Sequence, residues 1–332
     1  MKIFVFNPEH DLCLANSAPS YMPPQSALRF AEDCCDIMQF LGDADDVCVP
    51  ASRVGEACRE HPEAEAIVPW GWNNVLVSQM KKQGVPDRYF PTLARMDWIP
   101  YCSDRKHTSL YASVPRLFIE TYCSEEPALL HSLQECQRYV EDNGSVVFKN
   151  PLSGSGRGIR PVDVVLSDKD REWIEKILKQ RRYLTAEPRY EVVADFAALF
   201  SIDDEVRLEG YSLFDTKGFV YQGNLLVPDT LILETLGRYI PVDVIVRAVD
   251  NVAFLLGNKF HPLLQGKVGV DMFVFVRPDG SYGLSPMVEL NCRYTMGFVA
   301  HELLRKHPEL QGKRFQIHTP GAERLHYSYS IS

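Results

Sequence analysis

Hydrophobic and polar positions follow two different rhythms along the 332 residues of this chain. Up to about residue 90, short apolar runs alternate with stretches of helical spacing. Residues 2–6, 46–49 and 66–68 are predicted as buried strands, and residues 26–41 and 73–83 as helices. Strand and helix in turn predict an open parallel sheet covered by helices. Phe90-Pro91-Thr92 and Trp98-Ile99-Pro100-Tyr101 then bracket a mixed segment, and a first domain is predicted to end there, at residue 95.

Beyond residue 103 the pattern predicts a helix, a short strand, a long helix over 126–142 and a strand over 145–149. A Gly-rich loop, a strand over 159–165 and a helix over 167–181 follow, the last with Ser167 and Asp170 suited to an N-terminal cap. The rhythm then changes. Residues 183–187, 192–202, 205–214 and 218–227 are predicted as consecutive strands of an antiparallel block. A helix over 242–256 precedes a last hairpin, 268–276 and 282–290, turning through Arg277-Pro278-Asp279-Gly280.

Composition narrows the class. With 45% hydrophobic and 24% charged residues the chain is globular. Lys plus Arg is 35 and Asp plus Glu is 44, a net charge of −9, which disfavours duplex nucleic acid as a partner. The apolar runs are too short for a membrane span, and the N-terminus lacks the apolar core of a secretory signal. Nine cysteines contain no Cys-x-x-Cys pair, so the expectation is reduced thiols in a cytoplasmic protein.

Two places carry chemistry. If the last hairpin turns about Gly280, Asp271 and Glu289 are equidistant from it and face each other across adjacent strands, with Asn291 on the same face and Arg293 beyond. Opposed carboxylates repel and their pKa values separate unless something compensates. Magnesium, a hard cation that takes carboxylate and amide oxygens, is one remedy; a solvated sheet face satisfies the same pattern. The second place is Lys149-Asn150-Pro151-Leu152-Ser153-Gly154-Ser155-Gly156-Arg157-Gly158. It matches neither the P-loop nor the dinucleotide fingerprint. Its small residues can present backbone N–H groups to an anion, with Lys149 as an ammonium beside them, or can form a plain surface hairpin. Asn7-Pro8-Glu9-His10-Asp11 lies just past the first strand, where open α/β sheets bind ligands, and is a candidate for the acceptor substrate.

In order and spacing these elements resemble the ATP-grasp superfamily over residues 95–305. The strand with Lys149 and the loop Ser153-Gly154-Ser155-Gly156 resemble its phosphate-binding flap. Asp271 through Glu289-Leu290-Asn291 resembles its metal hairpin. Ser103-Asp104-Arg105-Lys106 resembles the segment that opens its nucleotide-binding half, and residues 183–190 stand where its adenine-holding hinge strand lies. The resemblance implies an ATP-grasp fold: an N-terminal α/β domain (1–95) and two α+β subdomains (96–186 and 187–332) that sandwich the nucleotide.

It also implies roles. Lys149 and either Arg105 or Lys106 would contact phosphates, together with Ser153, Gly154, Ser155 and Gly156. Glu187, with the neighbouring Arg189 and Tyr190, would hold adenine, and Asp195 the ribose. Asp271, Glu289 and Asn291 would hold magnesium, Arg293 would face the transferred phosphate, and Arg293 and His10 are the substrate candidates. The implied activity is an ATP- and magnesium-dependent ligase that joins a small-molecule carboxylate to an amine or thiol. A kinase-like phosphotransferase and a non-catalytic nucleotide-binding regulator are the alternatives. Two departures from the family pattern stand out: Cys292 where a proline often follows the asparagine, and Asn150 between Lys149 and Pro151.

Overall fold

The structure, a computed structural model, describes all residues except 17, 19, 155–157, 262 and 322–325. Strands β1 (Lys2–Phe6), β2 (Val47–Pro50) and β3 (Ala66–Pro69) form the expected parallel sheet, in the order β2-β1-β3. The helix expected over 26–41 is instead an α-helix (Gln25–Asp33) and a 3-10 helix (Cys35–Phe40). They are separated at Cys34, whose backbone (φ −130°, ψ 21°) leaves the helical region. The segment around Pro91 and Pro100 is less broken than its prolines suggest. Leu93–Cys102 is helical, and Thr92 caps it through its side chain.

Strands β4 (Ala128–Leu130), β5 (Val146–Lys149), β6 (Ile159–Val162) and β7 (Leu184–Pro188) make an antiparallel sheet in the order β4-β7-β5-β6. Helices Leu133–Asn143 and Asp168–Arg181 cover it, burying Val140, Ile174 and Ile177 on Val146 and Phe148. The second helix begins in a full capping box between Ser167 and Asp170, as its sequence predicts. The long helix expected over 126–142 starts later. Residues 128–130 pair with β7, and the helix is capped at Ser132, whose hydroxyl accepts from the Glu135 N–H. Pairing in the sheet overrides the helical preference of Ala128, Leu129 and Leu130.

The third sheet has seven strands: β8 (Glu191–Ile202), β9 (Val206–Lys217), β10 (Val220–Leu225), β11 (Gly266–Val276), β12 (Tyr282–Asn291), β13 (Arg314–His318) and β14 (Ser328–Ile331). Their order is β12-β11-β8-β9-β10-β13-β14, antiparallel throughout. One face packs Phe196, Ala198, Phe200, Val268 and Val270 under the helix Val242–Leu255, in the largest core of the molecule. Elsewhere Phe4 and Phe6 of β1 pack with Val299 and Phe315, so the parallel sheet is joined to the C-terminal part by a shared core. No described helix is long and apolar enough to cross a membrane, and all nine cysteines are free.

Candidate functional site

The β11–β12 hairpin brings Asp271 directly opposite Glu289, and Gly269 opposite Asn291. The register arises differently from an even count about Gly280. Val276 faces Tyr282 and Phe273 faces Ser285, which centres the turn on Asp279; an irregularity between Asp271 and Phe273 then advances β12 by two residues. Without it Asp271 would face Met287. Bulges concentrate near functional sites because they re-aim side chains, and this one sets two carboxylates side by side.

The two carboxylates are compensated unequally. Glu289 is paired with Arg105, whose Nη2 lies 2.6 Å from Glu289 Oε1. Asp271 accepts at Oδ2 from the amide of Asn291 at 3.1 Å and feels the charge of Arg293 without a direct ion pair. Burial, and then the charge of Glu289, push the Asp271 carboxyl up to about 7. Asp195, on β8, faces Phe273 and therefore lies diagonally across from Asp271 on the same sheet face. Its carboxylate accepts from Thr216 Oγ1 at 2.7 Å, and burial raises its pKa.

Arg105 is almost fully buried and ties the Gly-rich loop to this hairpin. It donates to Asn150 O (2.7 Å), Ser153 Oγ (2.5 Å) and Ser153 O (3.1 Å) as well as to Glu289. Lys106 points elsewhere: its ammonium lies 3.9 Å from Asp104 and over the Tyr101 ring. Lys149, at the end of β5, forms a buried ion pair of 2.6 Å with Glu187 of β7. Thr185, which faces Lys149 across the strands, has a buried hydroxyl without a partner among the described residues. Tyr190 packs its ring on Phe275 at 4.1 Å and accepts the Glu125 N–H at its hydroxyl. The Arg189 side chain turns outward to Asp163. Ser153 borders Glu289 and Gly154 borders Asp11; Ser155 and Gly156 lie outside the described residues.

The Asn7–Asp11 loop reaches the same place, and it supplies a contact that local patterning does not show. Asp11 receives both the Nε (3.0 Å) and Nη2 (2.6 Å) of Arg293, which also donates to Asn291 Oδ1 at 2.9 Å. Burial alone would raise the Asp11 carboxyl, but the Arg293 charge and hydrogen bonds outweigh it and leave it below the usual range. Gly154 packs so close to Asp11 that any side chain there would overlap the carboxylate. His10 is fully buried against Gly71, where a side chain would strike the imidazole ring, and Asn73 lies 3.3 Å from its Nδ1. His10 Nε2 and Glu9 Oε2 are buried without partners among the described residues. Burial lowers His10 to about 4 and raises Glu9 to about 7. Between Asp11, Ser103, Ser153 and Glu289 there remains about 10 Å³, room for one water.

Among the described residues no group of three His, Cys, Asp or Glu side chains is arranged to hold a metal alone. Asp271, Glu289 and Asn291 nevertheless form a hard-oxygen donor set with one carboxylate lacking a direct ion pair among the described residues. Such a set suits magnesium that takes its remaining ligands from phosphate and water.

No protein-family model matches the chain, and no curated protein matches it. Solved structures similar to it include N5-carboxyaminoimidazole synthetase from Staphylococcus aureus complexed with ADP, at 12% identity and TM-score 0.47, covering 91% of this chain and 76% of that one. Biotin carboxylase from Campylobacter jejuni is similar at 15% identity and TM-score 0.49, covering 91% and 67%. D-alanyl-alanine synthetase A from Vibrio cholerae is similar at 13% identity and TM-score 0.48, covering 94% of each chain. All three are ATP-grasp proteins. The chain is similar to the ATP-grasp superfamily. Arg105 joins the loop after β5 to the β11–β12 hairpin.

Proposed function

We propose that this chain is an ATP- and magnesium-dependent ligase that activates a small-molecule carboxylate as an acyl phosphate for attack by an amine or a thiol. One observation carries the reading: Asp271 faces Glu289 across a bulged hairpin, half-compensated, with Asn291 and Arg293 beside them. Asp271, Glu289 and Asn291 would hold the metal, Asn291 through the oxygen that now accepts from Arg293. When bound, magnesium supplies positive charge to the phosphoryl group in transfer.

The protein's own residues do the rest. Lys149, Arg105 and the loop N–H groups from Ser153 to Gly156 bind the phosphates. Glu187 and the backbone through Arg189 and Tyr190 hold adenine, and Asp195 the ribose. The space of about 10 Å³ at the carboxylates is too small for a triphosphate, so binding has to part Ser153 from Glu289. Arg105 can then exchange the Glu289 carboxylate for phosphate oxygens. A substrate carboxylate oxygen attacks the γ-phosphorus and ADP leaves. The amine or thiol then attacks the acyl carbon, the C–O bond breaks with its electron pair on phosphate, and the nucleophile's proton is lost. Arg293, held by Asp11, steadies the charge on the transferring group, and the Gly-rich loop keeps water from the acyl phosphate.

The three sheets support a division near residues 95 and 187, and nine free thiols support a cytoplasmic location. The test is a phosphate-release screen of carboxylates against amines and thiols with Mg-ATP. Release that needs both partners supports a ligase. Release with no dependence on any carboxylate would reject it.

A further inference from the structure

We infer that Arg95 holds an anionic group of the substrate, in a second cavity, and that the substrate is therefore a small acid with two carboxylates, one activated and one anchored. The cavity measures about 320 Å³, within the range of small-molecule pockets. It is lined by residues 67–72 from the end of β3, by 265–267 at the start of β11, by 292–294 after β12, and by Arg95, Ile99 and Asp203. It thus lies beyond the C-terminal end of a parallel strand, where open α/β sheets take ligands. Through Arg293 it borders the carboxylate pair.

The charges around this cavity are settled in every case but one. Lys267 pairs with Glu209, Arg293 with Asp11, and Asp203 with Arg207. Arg95 has no carboxylate partner among the described residues. Its guanidinium makes a single hydrogen bond, from Nη2 to Gln265 O at 2.8 Å, and its Nε is buried with no partner. It also sits where a cation is unfavourable, in the first turn of the helix Leu93–Cys102, which carries no acidic residue there. A half-buried guanidinium at the positive end of a helix, with one backbone hydrogen bond and no charged partner, recovers little from internal contacts. A planar carboxylate matches its fork and would supply the missing charge. Trp72 and Ile99 offer apolar walls for the carbon chain between the two acids. The activated end of such a substrate rests on the ligase reading; binding at Arg95 does not.

The test titrates the dicarboxylates from succinate to pimelate, and the diamide of each, into the ligand-free protein by calorimetry. At least one diacid is expected to bind the wild type, with its diamide about 10-fold or more weaker, at least the size expected for one charge-assisted hydrogen bond. Arg95→Gln should lose most of that preference, and Arg95→Lys should keep part of it. Without ligand, Arg95→Gln should melt no lower than wild type, and it should keep Mg-ATP binding. The inference is overturned if no diacid in the series binds the wild type, or if Arg95→Gln keeps the full preference for diacid over diamide. Failure of wild type to bind Mg-ATP would instead sink the ligase reading and leave the acid–amide comparison standing.

Discussion

On the four-stranded sheet Lys149 and Glu187 lie diagonally on β5 and β7 and close to 2.6 Å, each almost fully buried. On the seven-stranded sheet Asp271 and Glu289 stand directly opposite with the same charge; Glu289 has an arginine in direct contact, whereas Asp271 feels the Arg293 charge without an ion pair. The first pair is complete in the folded chain, and loss of either partner leaves a buried charge. The second is matched less fully, because the Arg293 near it is already paired with Asp11. The mismatched pair is where an outside positive charge would be most favourable, because like charges across a ladder cost stability.

Breaking the matched pair should have the largest effect. Lys149→Ala strands Glu187, and removing one partner of a buried pair costs about 3–5 kcal/mol; urea unfolding reads this. Lys149→Met with Glu187→Gln should recover most of it, whereas an equally unstable double variant would show that packing, not charge, is lost. Next, Glu289→Gln removes the carboxylate partner of buried Arg105 and should cost about 1–3 kcal/mol. The hairpin seen as a lone repelling pair predicts no loss or a gain for this variant; the Arg105 contact reverses that sign.

Asp271→Asn should act the other way, stabilising the ligand-free protein at pH 8. The sign follows from proton binding. An unfolded Asp loses its proton near about pH 4, while folded Asp271 keeps it to about 7. The folded state holds the extra proton between these values, so stability falls as pH rises from ~4 to 7. Asp271→Asn removes this share, and its advantage over wild type should be absent below about pH 4 and grow to about pH 7. Glu9, also raised to about 7, adds a slope of the same sign that the variant retains. A constant difference across pH would refute the unmatched carboxylate. The smallest effect belongs to Asp195→Ala, within about 0.5 kcal/mol in stability. It should weaken ATP more than inorganic triphosphate; equal losses would remove Asp195 from the ribose.

Much of this comparison was legible in the residues. The turn dipeptide Asp279-Gly280 and the alternation of β11 and β12 marked the hairpin. Counting evenly from Gly280 also reached the correct partners, although a turn centred one residue earlier and a bulge compensate each other there. Ser167 and Asp170 announced their capping box. The contacts between distant segments were not legible. Asp11 meets Arg293 across 282 positions, and Arg105 meets Glu289 across 184, through docking of whole sheets that no local period encodes. The helices Asp229–Leu236 and Met296–Lys306 and the strands β13 and β14 were passed over, their short patterns being decided by the cores they join. Arg95 gave no signal, since an arginine among prolines reads as surface until its missing partner is seen.

The central claim, that Asp271 and Glu289 wait for a cation delivered with the nucleotide, is tested most directly by calorimetric titration of ATP into wild type and Asp271→Asn, each in excess magnesium and in EDTA. Wild type should bind ATP much more tightly with magnesium, releasing a proton when titrated near pH 6.5 because the metal takes the carboxylate in its ionised form. Asp271→Asn should lose most of the magnesium dependence and the proton release while keeping its fold. Equal wild-type affinity in magnesium and EDTA, or undiminished magnesium dependence in Asp271→Asn, would contradict the account.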